Sequence, residues 1–360
     1  MLSMGANGPD MGGEQVTEAV AGAVGVLRSA VGRDWDEGAG GLEWSVRETV
    51  EHTANAFLKY AGRLAAGAKD RRANFVLTAD GTDNEGLLQI LELTSALLVA
   101  AIRTVPPRAR AFHPYPFQSS DRTGFAAMGV TEVMLHTYDA AQGLGIAYEP
   151  PAHLCTGVLS HLFPHVRPAD DPWQTLLWAT GRGDLPGRPR VTEWHWYNSL
   201  VIPAERLTLV AVRPAAAADL VAGGTGGFDW AEGGPFEGTR DAAGMLVKAY
   251  ETGALRPEWG MFVLVREKDG LAVGGIGYHG PPNEEGLVEI GYDLATSARG
   301  QGYATEALRA LSAWALAHDG VKTVFAVVDR ANVPSQGVVS RAGFTRVSED
   351  EEQFAYELRG

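Results

Sequence analysis

The sequence predicts two domains: an all-α N-terminal four-helix bundle over 13–200 and an α/β domain over 201–360. Three observations predict this. The 360 residues exceed what a single core usually organises. Apolar residues recur at helical spacing through the first half and at strand spacing after Pro203. A glycine-rich turn, with Gly300 and Gly302, stands where one of the later strands gives way to a helix.

The first helix is expected over 15–31, where Val16, Val20, Ala23, Val24, Leu27 and Val31 share a face. A second starts at Ser45. Ser45 and Glu48 have the spacing of a capping box, in which each side chain satisfies the other residue's backbone N–H, and apolar periodicity continues to about Leu64. A third helix runs over 84–105 until Pro106 and Pro107 stop it. The fourth covers 123–142 and ends at Gly143. Four amphipathic segments with short connections suggest an antiparallel bundle. A further helix over 152–163 and a Trp- and Pro-rich stretch to about 198 follow. Strands are expected at 206–212, 261–266, 272–278, 287–294 and 323–328, with helices at 239–252, 303–318 and 333–341. The linker falls at 197–204.

Composition narrows the function classes. Apolar residues at 45% and charged ones at 21% describe an ordinary globular protein. Cys155 is the single cysteine, which excludes an intramolecular disulfide and any multi-cysteine metal site. No run of about 18 apolar residues is seen, so no membrane span or membrane partner is expected. The first residues lack a basic stretch followed by an apolar one, so a short disordered leader and a cytoplasmic location are expected. The net charge of −14 argues against nucleic acid as a partner, because phosphates call for a surplus of Lys and Arg. From residue 201 onward lie 14 basic and 22 acidic residues. That acidity serves solubility or attracts a cationic, amine-bearing substrate.

The glycine-rich turn carries the most chemistry. It aims successive backbone N–H groups outward at a helix N-terminus, where the dipole favours an anion. Gly300 and Gly302 permit close backbone approach. A pyrophosphate suits such a turn, which implies a nucleotide-bearing cofactor. The Lys-Ser/Thr of a Walker loop and the six-residue G-x-G-x-x-G are both missing. Arg299, Gly302 and Ala304 instead resemble the Q/R-x-x-G-x-G/A signature of the GNAT N-acetyltransferases. The stretch 205–209 is similar to that family's first strand. Gly274, Gly275 and Gly277, with Gly280, Pro281 and Pro282, are similar to its third strand and turn. Asn332 and Ser335, then Arg341, Gly343 and Phe344, resemble the ending of its RimJ/RimL-like branch. The resemblance implies an α/β GNAT acyltransferase fold with acetyl-CoA as cofactor. A strand splayed near Leu294 would pair with the pantetheine arm. Arg299, Gly300, Gln301, Gly302, Tyr303, Ala304 and Thr305 would hold the pyrophosphate. Asn332 would contact the cofactor near its thiol end, and Ser335 would donate a hydrogen bond to the leaving thiolate.

Chemistry supplies the remaining roles. An alkylammonium cannot attack a thioester, and with a pKa of about 10.4 most lysine-type amine is protonated at neutral pH. A general base is needed, direct or through water, and a carboxylate at the strand mouth suits the task. Glu289 resembles the family residue that does this; the alternative is a structural or substrate-orienting carboxylate. For Ser335 the alternative is a helix cap, since Asn332 and Ser335 both sit where a helix begins. Tyr292 and Tyr303 read as packing residues, and a backbone N–H on the cofactor strand would meet the oxyanion.

In the helical half, His52 stands near the start of the second helix, while Glu132, His136 and Asp139 stand on the fourth at spacings that share one face. His52, Glu132 and His136 make a usable three-ligand metal set with an open position. Trp44, Ser45, Arg47, Glu48 and His52, then Glu132, His136 and Asp139, match W-[ST]-x-R-[DE]-x-x-x-H and E-x-x-x-H-x-x-D. These patterns resemble the N-terminal domain of mycothiol-dependent maleylpyruvate isomerases, of the DinB-like bundle superfamily. Leu176, Leu177, Trp178, Gly181 and Arg182 resemble its exit segment, so coverage is about 13–200. The resemblance implies zinc or another divalent metal on His52, Glu132 and His136, with Asp139 as a buttress toward Arg47. Metal-bound thiol chemistry is the activity it suggests. His113, His153, His161, His165, His195, His279 and His318 read as ordinary surface or packing residues. Trp173, Trp178, Trp194 and Trp196 read as domain-junction packing or as the wall of a cleft.

Three readings emerge. The first is an acetyl-CoA-dependent N-acetyltransferase acting on a primary amine of a small molecule, aminated antibiotics included, or of a protein. The second is a bifunctional protein whose bundle performs metal- and thiol-dependent isomerase or transferase chemistry. The third is a non-catalytic acetyl-CoA sensor. Glu289, Asn332 and Ser335 beside the cofactor loop favour turnover over sensing. The segment 215–250, expected to shape the acceptor pocket, holds no readable motif.

Overall fold

A computed structural model describes residues 11–70, 75–107, 109–114, 118–197 and 200–360. Residues 1–10 of the expected leader and part of the expected linker lie outside the described residues, but the leader's last three residues are not disordered: Met11 is buried, Gly12 caps the first helix and Gly13 begins it. The chain divides into two compact units, Gly8–Ser199 and Leu200–Gly360.

The first unit is helical: α1 (Gly13–Arg28), α2 (Val46–Ala65), α3 (Asn84–Thr104), α4 (Arg122–Leu144), α5 (Ala152–Leu162) and α6 (Pro172–Ala179). A short pair, β1 (Arg110–Ala111) and β2 (Ser120–Asp121), precedes α4. Both α1 and α2 pack against α3 and α4, burying Val16, Phe57, Leu88 and Phe125. The Ser45–Glu48 capping box forms, with the Ser45 N–H donating to the Glu48 carboxylate at 2.8 Å. Two readings need correction. The fourth helix does not end at Gly143 but runs to Leu144, with Gly145 in the left-handed region at φ 62° as its terminus. Gly143 is glycine for space: a Cβ there would run into the Gly38 carbonyl oxygen. And α3 is long and apolar enough to cross a membrane by length and composition. Half of that window is buried within the unit, with Leu87, Leu88, Leu91 and Leu98 covered, as in a core helix. Trp173, Trp178 and Trp196 pack on this unit's own core. The unexpected α6 carries readable start signals, since Asp171 caps the Trp173 and Gln174 N–H groups ahead of Pro172.

The second unit is a mixed α/β layer structure. Its elements are β3 (Val201–Pro203), β4 (Leu207–Ala211), α7 (Pro214–Val221), α8 (Glu237–Glu251), β5 (Met261–Arg266), β6 (Ala272–Tyr278), β7 (Leu287–Leu294), α9 (Tyr303–Leu316), β8 (Thr323–Asp329), α10 (Val333–Ala342), β9 (Thr345–Glu349) and β10 (Gln353–Arg359). The eight strands order as β3-β4-β5-β6-β7-β8-β10-β9. Every pairing is antiparallel except β7 with β8. That parallel ladder is short, joining Leu287, Val288 and Glu289 to Thr323, Val324 and Phe325. On its other edge β7 stays paired to β6 as far as Leu294. From Ile290 to Leu294 the β8 side of the strand is therefore splayed, leaving backbone groups open at the middle of the sheet.

Candidate functional site

Where β7 ends, a single 3-10 turn (Thr296–Ala298) leads into the glycine-rich turn. Gly300 (φ 73°) and Gly302 (φ 82°) both adopt the left-handed region. Gly302 is the N-cap of α9 and offers no side chain to cover the helix's first N–H groups. Flanking side chains fix the turn. Arg206 pairs with Glu306 at 2.8 Å, donates to the Gln301 carbonyl at 3.0 Å and lies over the Tyr303 ring. Arg299 stacks over Phe236 and donates to the Leu294 carbonyl at 3.3 Å. Gln301 donates to the Ser297 carbonyl at 2.9 Å. Ala304 is buried, and Thr305 carries a buried hydroxyl with no hydrogen-bond partner. An open strand edge, uncapped N–H groups and an orphaned hydroxyl in one place suit an extended ligand ending in phosphates.

Asn332 caps α10, its side chain accepting from the Ser335 N–H at 3.2 Å. The Ser335 carbonyl accepts from the Tyr292 hydroxyl at 3.4 Å. Tyr292 therefore ties β7 to α10, and burial raises its hydroxyl's pKa.

On the opposite face of β7 lie Glu289, Gly291 and Asp293. Antiparallel register carries β6 past the Tyr278–Ile290 pair, so His279 meets Glu289 across the strands. Their backbones bond at 3.0 Å and the imidazole Nδ1 stands 3.0 Å from a Glu289 carboxylate oxygen. Asp293 accepts from the Thr239 N–H (2.6 Å), the Thr239 hydroxyl (2.6 Å) and the Gly275 N–H (3.0 Å), capping α8 from another element. Burial pushes its carboxyl up despite these donors. Between α8 and this face lies a cavity of about 410 Å³, lined by Asp241, Met245, Trp259, His279, Gly291 and Asp293 among others. The sequence reading missed His279, Asp293 and Arg206, since each acts through cross-strand or long-range partners that no local spacing reports.

In the helical unit the structure brings His52, Glu132 and His136 together, with one donor atom from each within 4.8 Å of the others. The Glu132 carboxylate lies 3.2 Å from His136 Nε2 and 3.6 Å from His52 Nε2, and accepts from the Tyr60 hydroxyl at 2.8 Å. Burial opposes its charge, but the two imidazoles hold it well below the usual carboxylate range. Burial likewise opposes a charged His136, yet Asp139 and Glu132 raise it to about 9. Side-chain exposure is 41% for His52 against 11% and 12% for the other two, so the cluster opens on the His52 side. Trp44 lies over it, 4.6 Å from His52 between ring centres. One expectation is corrected. Asp139 reaches not Arg47 but Arg182 at 2.8 Å and His136 Nδ1 at 3.2 Å, while Arg47 donates to the Ala79 and Thr82 carbonyls. Buttressing Nδ1 leaves Nε2 facing Glu132, the arrangement a metal-ligating imidazole uses. Cys155 is buried, its thiol pushed up to about 12 by burial, and is chemically quiet.

Comparison with known proteins concerns the second unit. The profile of the family described as "Acetyltransferase (GNAT) domain" matches residues 206–345. The second unit contains a GNAT acetyltransferase domain. An uncharacterized N-acetyltransferase, YjdG of Bacillus subtilis, is 35% identical over 83 residues, which are 23% of this chain and 49% of that protein. The chain thus spans about half the length of that relative. Among solved structures, an acetyltransferase from Agrobacterium tumefaciens is similar at 24% identity and TM-score 0.33, covering 48% of this chain and 100% of that one. A GNAT-family acetyltransferase from Bacillus anthracis is similar at 19% identity and TM-score 0.33, covering 44% and 98%. RimL, a ribosomal α-N-protein acetyltransferase in complex with coenzyme A, is similar at 16% and TM-score 0.34, covering 44% and 97%.

Proposed function

We propose that this chain is an N-acetyltransferase of the RimJ/RimL-like branch, transferring acetyl from acetyl-CoA to a primary amine of a small molecule or a protein. The observation that carries the reading is the splay of β7 from β8 over Ile290 to Leu294, running directly into the left-handed glycines of the turn. Acetyl-CoA supplies an activated acetyl thioester. The backbone along Ile290 to Leu294 would hold its extended arm. Arg299, Gly300, Gln301, Gly302, Tyr303, Ala304 and Thr305 would hold the pyrophosphate, where the Thr305 hydroxyl would find a partner. Asn332 and Ser335 would border its thiol end, where the Ser335 hydroxyl would donate a hydrogen bond to the leaving sulfur. The Glu289–His279 pair removes a proton from the acceptor nitrogen, which arrives through the cavity beneath α8. Release of free thiol from acetyl-CoA over an amine panel tests the reading. Turnover is expected with at least one small primary amine or peptide N-terminus. Tight acetyl-CoA binding without turnover on any amine overturns it in favour of a sensor.

A second reading concerns the helical unit, favoured by the convergence of His52, Glu132 and His136. It is a DinB-like bundle holding zinc or another divalent metal on these three side chains. Such an ion would hold a low-molecular-weight thiol as thiolate. The donor set fits: two imidazoles and a carboxylate, one imidazole buttressed by Asp139, and an open side toward solvent.

A further inference from the structure

The acetyltransferase reading leaves open which member of the Glu289–His279 pair faces the acceptor. Resting on that reading, we infer that His279 takes the proton and that Glu289 is the positioning residue behind it. Four observations converge. First, the carboxylate lies on Nδ1 at 3.0 Å, so the Nδ1 proton is held there and the lone pair resides on Nε2. Second, Nε2 stands over Gly291: a Cβ at that glycine would come within 3.0 Å of it. Gly291 lies in the stretch of β7 that β8 leaves unpaired, so the basic nitrogen sits against the strand segment expected to carry the thioester. Third, His279 lines the cavity of about 410 Å³, and Glu289 is not among its lining residues. Fourth, the pair is built by register and by a backbone bond of 3.0 Å, which fixes the imidazole's root. The floor beneath it is backbone, since Gly275, Gly277 and Gly291 carry no side chains on this face. An acceptor in this cavity therefore meets His279 above a floor of backbone.

The proton balance is simple. The acceptor ammonium gives one proton to His279 Nε2, which passes it to solvent through its half-exposed edge. The freed nitrogen lone pair forms the N–C bond to the thioester carbonyl, and the C–S bond breaks as the adduct collapses. The second nitrogen proton leaves with the sulfur, giving amide and free thiol. Glu289 stabilises the transient imidazolium and exchanges no proton. The acceptor class follows from the walls. Met245, Leu246 and Trp259 favour an apolar or aromatic body, and Asp241 draws the cationic amine inward.

The test uses the full chain with acetyl-CoA and the best amine of the panel. His279→Ala should lower kcat by about 100-fold or more, with acetyl-CoA affinity by calorimetry unchanged. Added imidazole should restore part of that rate. Glu289→Gln should cost less than His279→Ala, and the double variant should be no slower than His279→Ala alone, because the two act as one unit. A His279→Ala enzyme within threefold of the parent rate, beside an inactive Glu289→Gln, overturns the inference and returns the base to Glu289. A rate loss that imidazole does not relieve also overturns it, because it points to structural damage. A parent protein that binds acetyl-CoA yet acetylates no amine overturns the underlying reading instead, so the two failures are distinguishable.

Discussion

Under the acetyltransferase proposal, the unfilled polar requirement of one residue, Thr305, marks a ligand position. Its hydroxyl is buried at the first turn of α9 without a partner, and a buried unpaired group costs about 1–3 kcal/mol. Replacing it with valine, of nearly the same shape, removes that cost and the donor together. We predict that Thr305→Val leaves the melting temperature of the unliganded protein unchanged or higher while weakening acetyl-CoA binding by about 5–10-fold. Unchanged affinity would remove Thr305 from the phosphate shell. Asp293 has the opposite character, being buried and fully engaged by three donors from α8 and β6. Asp293→Ala leaves the Thr239 and Gly275 N–H groups unpaired, and we expect a loss of about 2 kcal/mol in urea unfolding. No shift in the midpoint would mean that the desolvation cost of the carboxylate cancels the bonds it makes.

At the scale of elements, glycines separate packing from propensity. In α1 an alanine Cβ at Gly25 meets nothing, whereas in α4 a Cβ at Gly143 meets the backbone carbonyl of Gly38. Gly25→Ala should therefore stabilise the chain by about 0.5–1 kcal/mol through helix propensity, and Gly143→Ala should destabilise it by about 3 kcal/mol through overpacking. Thermal melts of the two single variants check this, and a shift in the same direction for both would refute the packing account. The same contrast explains what could be read from residues alone. β5, β6 and β7 begin and end where short apolar runs and neighbouring turn residues place them, β5 and β6 as near-continuous buried runs and β7 with partial alternation. By contrast, β9 is exposed along its whole length and gives no alternation to read. α6 and α7 are only eight residues each, too short for a periodic pattern to stand out. Gly143 misleads because a helix-ending glycine and a close-packed one look alike in sequence. At the candidate site, the turn from Arg299 to Ala304 is local and so is legible as a turn. His279 and Asp293 gain their partners only from strand register and from the approach of α8. Arg182 reaches Asp139 across 43 positions of sequence, a pairing that helical spacing cannot report.

For the molecule as a whole, the decisive question is whether the helical unit holds an ion, because that would make this chain a carrier of two chemistries. Two geometric conditions are met: three donor atoms lie within 4.8 Å of one another, and the His52 side is open for a fourth ligand. A structural metal site would be closed by protein on all sides, whereas an open one leaves room for water or a thiol. An ion that binds only the folded state stabilises it by mass action, about 2.7 kcal/mol when free metal is 100 times its dissociation constant. We therefore predict near-stoichiometric metal in full-length protein purified with zinc supplementation, and a rise in the unfolding temperature on adding zinc to the metal-stripped chain. His52→Ala should abolish both effects with little loss of stability in metal-free protein, since His52 is the most exposed of the three ligands and closes no core. Glu132→Gln is the sharper probe, as it keeps the side chain's shape but removes the charge that both imidazoles face. If neither the parent nor the supplemented protein retains metal by elemental analysis, the cluster is an ion-paired packing motif. Tyr60, Glu132, His136, Asp139 and Arg182 would then form a buried polar chain whose work is to orient α2, α4 and the segment after α6.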